Sequence, residues 1–268
     1  VATGMSASTS LPDPRLLLAE SPMTFAQARV VLILICLSML DGFDVLAISF
    51  ASPGIAEEWG INRARLGVIL SMELIGMAAG SILIGGLADS VGRRRAIITC
   101  LSIMSAGMIM AATVETLTAL CVWRIMTGVG IGGMLATANA TAAEIANDRR
   151  RHMCVAWVAI GYPMGAVVGG VLASYLLARF EWRSVFVAGA TLTIGFLPVV
   201  FAFVPESVVW LSQKRPAKAL ERINATLRRL GHQTLDILPP APADARHHSL
   251  KDIFAPELAL GTMLVTLA

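Results

Sequence analysis

The chain has 268 residues, of which 56% are hydrophobic and only 15% are charged, and its mean hydropathy is +0.73. A soluble domain carries about 25% charged residues. The composition therefore excludes a soluble enzyme. The net charge of +3 could suggest a nucleic-acid partner, but the positions of the basic residues account for it differently.

Apolar runs of about 20 residues, the length that a spanning helix needs, recur along the chain. They predict an all-α, polytopic membrane protein with six complete spans, at residues 30–52, 66–86, 96–115, 117–139, 153–178 and 185–204. A seventh span is predicted to begin near Leu258, and the sequence stops at Ala268. A helix ending there would leave backbone groups unsatisfied in lipid, so we expect a fragment of a longer protein.

The basic residues predict the orientation of the spans. Sixteen of the 21 lysines and arginines lie in the N-terminal tail, in the loops after spans two and four, or after span six, whereas four lie in the other loops. By the positive-inside rule the N-terminus is cytoplasmic. The positive charge is thus a matter of topology, and we expect no nucleic-acid partner.

The predicted organisation has four parts. Residues 1–29 form a cytoplasmic tail, residues 30–204 the six-helix transmembrane domain, residues 205–257 a cytoplasmic central loop, and residues 258–268 the truncated start of the seventh span. The central loop contains an amphipathic pattern with Pro216 in its first turn and Gly231 just past its end, which predicts a surface helix. A Pro/Ala-rich linker at residues 236–248 follows it.

Two aspartates, Asp41 and Asp44, lie near the middle of the first span. Inserting one aspartate at the centre of a membrane helix costs roughly 2.5–3.5 kcal/mol. Three residues apart, they share one helix face and must face the bundle or a wet cavity. Two such neighbouring carboxylates can hold a proton near neutral pH, which a proton-coupling site requires. The alternative is that they only form hydrogen bonds to neighbouring helices.

Three other ionisable residues lie in or at the ends of spans. Arg124 could neutralise an aspartate, bind a substrate carboxylate through its planar fork, or clamp the first and fourth spans in a permanent ion pair. Glu73 lies about one turn inside the outer end of span two, where it could line the outer mouth and act in gating. Glu144 ends span four and could form either an interfacial salt bridge or part of a gate.

The sequence has no serine–histidine–acid set, no HExxH and no glycine-rich phosphate loop. Its four cysteines have no metal-ligand spacing. We therefore expect no enzyme activity, no metal site and no cofactor other than a proton as coupling ion.

Several motifs resemble the major facilitator superfamily. "GGLADSVGRRRA" at residues 85–96 is similar to its loop 2–3 motif, "RIMTGVGIGG" at 124–133 to its fourth-span motif, and "PESVVWL" at 205–211 to the run after span six. "LDGFD" in the first span resembles the aromatic acid:proton symporter family, which includes 4-hydroxybenzoate and benzoate transporters. So does the run from Asn139 to Glu144 ahead of an arginine-rich loop.

The resemblance implies the N-terminal six-helix half of that fold, built from 3+3 inverted repeats with a binding site between them. Asp41, Asp44 and Arg124 would then lie on repeat-related helices facing one cavity. Within the loop motif, Asp89, Arg93 and Arg94 would hold the cytoplasmic side closed, while Gly85 and Gly92 allow the close approach.

The function implied is proton-coupled import of an aromatic carboxylate across the bacterial inner membrane by alternating access. The partners would be this small organic anion, the lipid bilayer and the missing C-terminal half of the same chain. The alternatives are a carrier for another small acid or a sugar, a non-transporting membrane sensor, or a membrane enzyme.

Overall fold

A computed structural model describes residues 13–238, apart from the side chain of Arg63. The predicted start of the seventh span, most of the Pro/Ala linker and the first twelve residues of the tail lie outside this range. The described residues form nine α-helices and no β-strand. They are α1 (Pro14–Glu20), α2 (Phe25–Trp59), α3 (Arg63–Val91), α4 (Arg93–Thr113), α5 (Leu117–Ile145), α6 (Arg151–Leu177), α7 (Arg183–Phe203), α8 (Val208–Lys214) and α9 (Ala219–Leu230).

The six helices α2 to α7 are long and apolar enough to cross a membrane, so the chain is a multi-pass integral membrane protein. Several of them run past the predicted spans. Helix α2 begins at Phe25 because Thr24 and Gln27 form a capping box: the Thr24 hydroxyl accepts from the Gln27 N–H at 3.2 Å, and the Gln27 side chain accepts from the Thr24 N–H at 2.8 Å.

The spans alternate in direction and so define two ends of the bundle. Arg93 to Arg95 and Arg149 to Arg151 lie where α4 and α6 begin, and we call this the arginine-rich end. At the other end, Trp59 and Trp182 meet edge-to-face with their ring centroids 5.6 Å apart. Arg183 beside them forms an ion pair with Glu58 at 2.7 Å, which joins α2 to α7.

The most extensive helix pairs are α3 with α5 and α2 with α6. In a 3+3 inverted repeat, α2 corresponds to α5 and α3 to α6. The pair of α3 with α5 therefore corresponds to the pair of α6 with α2, as observed. Glycines make both crossings close. A Cβ at Gly76 or Gly128 would overlap the backbone of the partner helix in the first pair, and one at Gly42 or Gly165 would do so in the second.

The amphipathic helix predicted in the central loop is α9. It begins at Ala219 rather than near Pro216, because Lys218 takes a left-handed conformation with φ of 62°. It ends at Leu230, and Gly231 lies just past its end, as predicted, with φ of 81°. Its apolar face is packed into the hydrophobic core of the bundle through Ile223, Leu227 and Leu230.

Candidate proton and substrate site

The two aspartates of the first span lie in the middle of α2, and both are completely buried. None of their four carboxylate oxygens has a hydrogen-bond partner among the described residues. Asp44 lies against α7 where Gly189 leaves room: a Cβ at that glycine would be 2.9 Å from Asp44 Oδ1. Both side chains therefore face the interior of the bundle rather than the acyl chains.

Ser38 extends this polar stripe by one turn toward the arginine-rich end. It lies three residues before Asp41, is buried, and its hydroxyl also lacks a partner within the described part of the chain. Ser38, Asp41 and Asp44 thus follow one face of α2 at helical spacing. Ser38 was not predicted as a site residue, because serine is common in membrane spans. The one sequence feature that could have indicated it is its three-residue spacing from Asp41.

Arg124 lies in α5 and is also completely buried. Its guanidinium donates a hydrogen bond to the backbone carbonyl of Asp44 at 3.0 Å and contacts the Met108 sulfur at 3.6 Å. The Phe186 ring packs against it, with its centroid 5.6 Å from Cζ. Arg124 therefore joins α5 to α2, α4 and α7, but it bonds to the backbone of Asp44 and not to its carboxylate.

The carboxylate that pairs with Arg124 is that of Glu73 in α3, through an ion pair between Nη2 and Oε2. Glu73 is buried, and its second oxygen has no partner in the described residues. The sequence had suggested a place at the outer mouth for Glu73 and an aspartate as one possible partner for Arg124. The structure differs on both points, because the glycine crossing of α3 and α5 brings Glu73 directly against Arg124.

The buried cluster consequently holds three carboxylates and one guanidinium. An ion pair inside a protein requires good geometry to offset the loss of hydration, and an unpaired ionised group costs several kcal/mol. Arg124 can neutralise only one of the three acids at a time. Chemically, the cluster is suited to hold protons on its excess carboxylates.

A second charged cluster lies at the arginine-rich end. Arg93, the first residue of α4, forms ion pairs with Asp89 at the end of α3, at 2.7 Å, and with Glu144 near the end of α5, at 2.9 Å. Glu144 thus forms a salt bridge, one of the two roles considered for it. A gating role stays a prediction.

Arg94, in contrast to the expectation from the loop motif, does not contact Asp89. Its guanidinium donates to the backbone carbonyl of Phe201, and its backbone N–H donates to Glu206 at 3.2 Å. Glu206 belongs to the "PESVVWL" run but was not predicted as a site residue. The indole of Trp210, in the same run, donates to the backbone carbonyl of Asp89 at 3.1 Å.

The two motif glycines, Gly85 and Gly92, lie at close approaches between segments. A Cβ at Gly85 would be 3.2 Å from the Ala136 side chain, and one at Gly92 would overlap the Glu206 carboxylate. Gly92 also has φ of 110°, a conformation that side chains rarely adopt, and this allows α3 to turn directly into α4. Within residues 13–238, no group of three or more histidines, cysteines and acids could hold a metal ion.

The sequence family described as Major Facilitator Superfamily matches residues 34–268. The 4-hydroxybenzoate transporter PcaK of Pseudomonas putida is 29% identical over 260 residues, covering 95% of this chain and 58% of that protein. The gallate transporter of Pseudomonas putida is 29% identical over 210 residues, covering 78% and 46%. The chain spans about half the length of the curated relatives it matches.

Solved structures share the fold. The proton:xylose symporter XylE bound to 6-bromo-6-deoxy-D-glucose superposes with a TM-score of 0.70 at 18% identity, covering 79% of this chain and 51% of that one. A partially occluded, inward-open form of the xylose transporter XylE from E. coli gives 0.69 at 19% identity, covering 79% and 55%. At such identity the likeness concerns the fold alone.

Proposed function

Because the chain belongs to the Major Facilitator Superfamily, we propose that it forms the N-terminal half of a carrier that imports an aromatic carboxylate together with protons by alternating access. The relatives named for 4-hydroxybenzoate, gallate and benzoate support an aromatic acid as substrate. The arginine-rich end faces the cytoplasm of a bacterial inner membrane. The second half of the same protein supplies the opposite wall of the site.

The observation that carries this proposal is the burial of Asp41 and Asp44 without hydrogen-bond partners among residues 13–238. In a closed bundle a proton on each carboxylate removes the cost of burying its charge. Opening of the site to water on the inner side stabilises the ionised form, and the proton then leaves. Asp41 and Asp44 thereby take up protons outside and release them inside.

Arg124 binds the substrate anion. The carboxylate of the substrate has the same shape and charge as that of Glu73, so it can replace Glu73 in the ion pair with the guanidinium. The buried Nε of Arg124 has no partner in the described residues and offers a second donor for a two-point contact. Glu73, once displaced, takes up a proton, so that anion entry and protonation occur together.

The net charge carried decides whether the membrane potential acts on transport. One proton carried with one monoanion moves no net charge, whereas a second proton makes the step sensitive to the membrane potential. About 2.3 kcal/mol is then available per charge and per 100 mV. The three buried carboxylates supply enough sites for either ratio.

The proposal is tested with the full-length protein in proteoliposomes. We expect radiolabelled 4-hydroxybenzoate, benzoate and gallate to accumulate under an inside-alkaline gradient, and a protonophore to abolish this accumulation. Protein-free vesicles correct for passive entry of the undissociated acids, and xylose serves as a sugar control. Accumulation that survives the protonophore, or uptake of xylose in place of the acids, would contradict the proposal.

A further inference from the structure

A basic cavity at the arginine-rich end belongs to neither charged cluster described above. It has a volume of about 440 Å³ and lies between α4, the end of α7, α8 and α9. Four arginines line it, two from α4 and two from α9, and we call it the arginine pocket: Arg94, Arg95, Arg222 and Arg229. The apolar run of α4 begins immediately after Arg95, which places the pocket at the depth of lipid headgroups.

The arginine pocket has an excess of positive charge. No carboxylate in the described part of the chain forms an ion pair with Arg95, Arg222 or Arg229. Among the described residues of the lining, Glu206 is the one acid, and one of its oxygens already accepts from the backbone N–H groups of Arg94 and Ser207, at 3.2 and 3.1 Å. Helices α4 and α9 therefore present like charges to each other across an open cavity.

One wall of the same pocket is apolar and faces outward from the bundle. Phe201 is 67% exposed, and the Arg94 guanidinium stacks on its ring with Cζ 4.7 Å from the centroid. Ile98 of α4 continues this wall toward the membrane centre. A ligand that satisfies both features carries an anionic group for the arginines and a hydrocarbon chain for Phe201 and Ile98.

We propose that the arginine pocket binds the phosphate of an anionic phospholipid, with an acyl chain lying along Phe201 and Ile98. Basic pockets at the cytoplasmic side of membrane helices suit such headgroups. The bound phosphate neutralises the repulsion between α4 and α9, and so holds α9 against the bundle. This site is separate from the transport site, and the proposal does not rest on the proposed function.

The test uses the delipidated full-length protein, with lipid binding followed by native mass spectrometry and by thermal unfolding. Phosphatidylglycerol should bind and raise the unfolding temperature, whereas phosphatidylcholine should do neither. Each arginine removed should weaken phosphatidylglycerol binding about fivefold, hence about 25-fold for the double variant Arg222→Gln/Arg229→Gln. Arg228→Gln is the matched control, because Arg228 lies on the same helix but outside the pocket.

A second variant, Arg95→Gln, keeps the test independent of α9 and should weaken binding about fivefold. Undiminished binding to the double variant would overturn the proposal. So would an equal loss in Arg228→Gln, because the attraction would then come from the general surface charge. Protection by inorganic phosphate equal to that by phosphatidylglycerol would also overturn it, in favour of a free anion.

Discussion

The charges at the arginine-rich end and those at the centre of the bundle differ in how they are balanced. At the end, Asp89 and Glu144 share Arg93, and Glu206 accepts from backbone N–H groups. At the centre, three buried carboxylates accompany a single guanidinium, which pairs with Glu73, and the other two carboxylates have no hydrogen-bond partner among the described residues.

This difference separates a structural role from a chemical one. Paired charges near water need no proton and contribute modestly to stability. Acids in excess of bases in a dry interior require protons or bound cations, because their unpaired charges would otherwise destabilise the fold. The end cluster therefore joins helices, and the excess of central acids supports the proposed proton exchange; substitutions can test each role.

The largest effect is expected from removing a central carboxylate. Asp41→Asn or Asp44→Asn keeps the size of the side chain but cannot release a proton, so uptake driven by a pH gradient should fall to the level of protein-free vesicles. The matched control is Asp148→Asn at the arginine-rich end, where the exposed carboxylate forms an ion pair with Arg151. Full gradient-driven uptake by either central variant, at normal membrane expression, would remove these aspartates from the mechanism.

Breaking the central ion pair should have the next largest effect, on stability. Arg124→Gln leaves Glu73 buried without its counter-ion, which costs about 3–5 kcal/mol in the free energy of unfolding. Glu73→Gln combined with Arg124→Gln should recover most of that loss, because no buried charge remains. Arg124→Lys keeps the charge but loses the fork, so it should transport poorly.

Unfolding in mixed detergent micelles measures the three variants against the wild-type protein. If Arg124→Gln alone unfolds at the wild-type denaturant concentration, the ion pair contributes nothing to stability. If Arg124→Lys transports at the wild-type rate, the site needs only a point charge and the two-point contact is wrong.

Substitutions in the end cluster should have smaller effects, graded by exposure. The side chains of Arg93 and Glu144 are 15% and 17% exposed, whereas that of Asp89 is 68% exposed and more strongly screened by water. We expect Glu144→Gln to lower the free energy of unfolding by about 1 kcal/mol and Asp89→Asn by less than about 0.5 kcal/mol. The same unfolding assay measures both, and a reversed order would contradict this ranking.

The smallest effect concerns pH at the docking of α9. His232 follows this helix and contacts the Gln27 side chain at 3.1 Å, and burial lowers the pKa of His232 below its ordinary value of 6.5. The unfolded chain therefore binds this proton more readily, so the contribution of His232 to stability falls as pH drops below 6.5. The difference in stability between the wild-type protein and His232→Asn should shrink between pH 7.5 and pH 5. A constant difference would show that folding leaves the pKa of His232 unchanged.

The number and position of the spans were predictable because they depend on a local property, the length of an apolar run relative to the bilayer. Helix α9 was predictable from its periodicity and from Gly231. The short helices α1 and α8 were not predicted, since seven residues form a helix only when capped and packed against other elements.

The candidate site was predictable in its members but not in its contacts. Asp41, Asp44 and Arg124 stand out because ionisable residues inside spans are rare and costly. The pairing of Glu73 with Arg124 depends on where along their lengths α3 and α5 cross. Glycines in both helices fix this crossing point together. Ser38 joins the site through its burial and its position on the face of α2 that carries Asp41 and Asp44, and its hydroxyl has no partner among residues 13–238.

Residue order alone thus establishes a bundle of six spans, its arginine-rich end and the acids and base that lie at membrane depth, because hydration energies act on each segment separately. Only the packed bundle decides which acid pairs with Arg124, which two lack a partner in the described part of the chain, and where four arginines line an open cavity. Those outcomes depend on distances between segments far apart in the chain, and close packing of the helices fixes these distances.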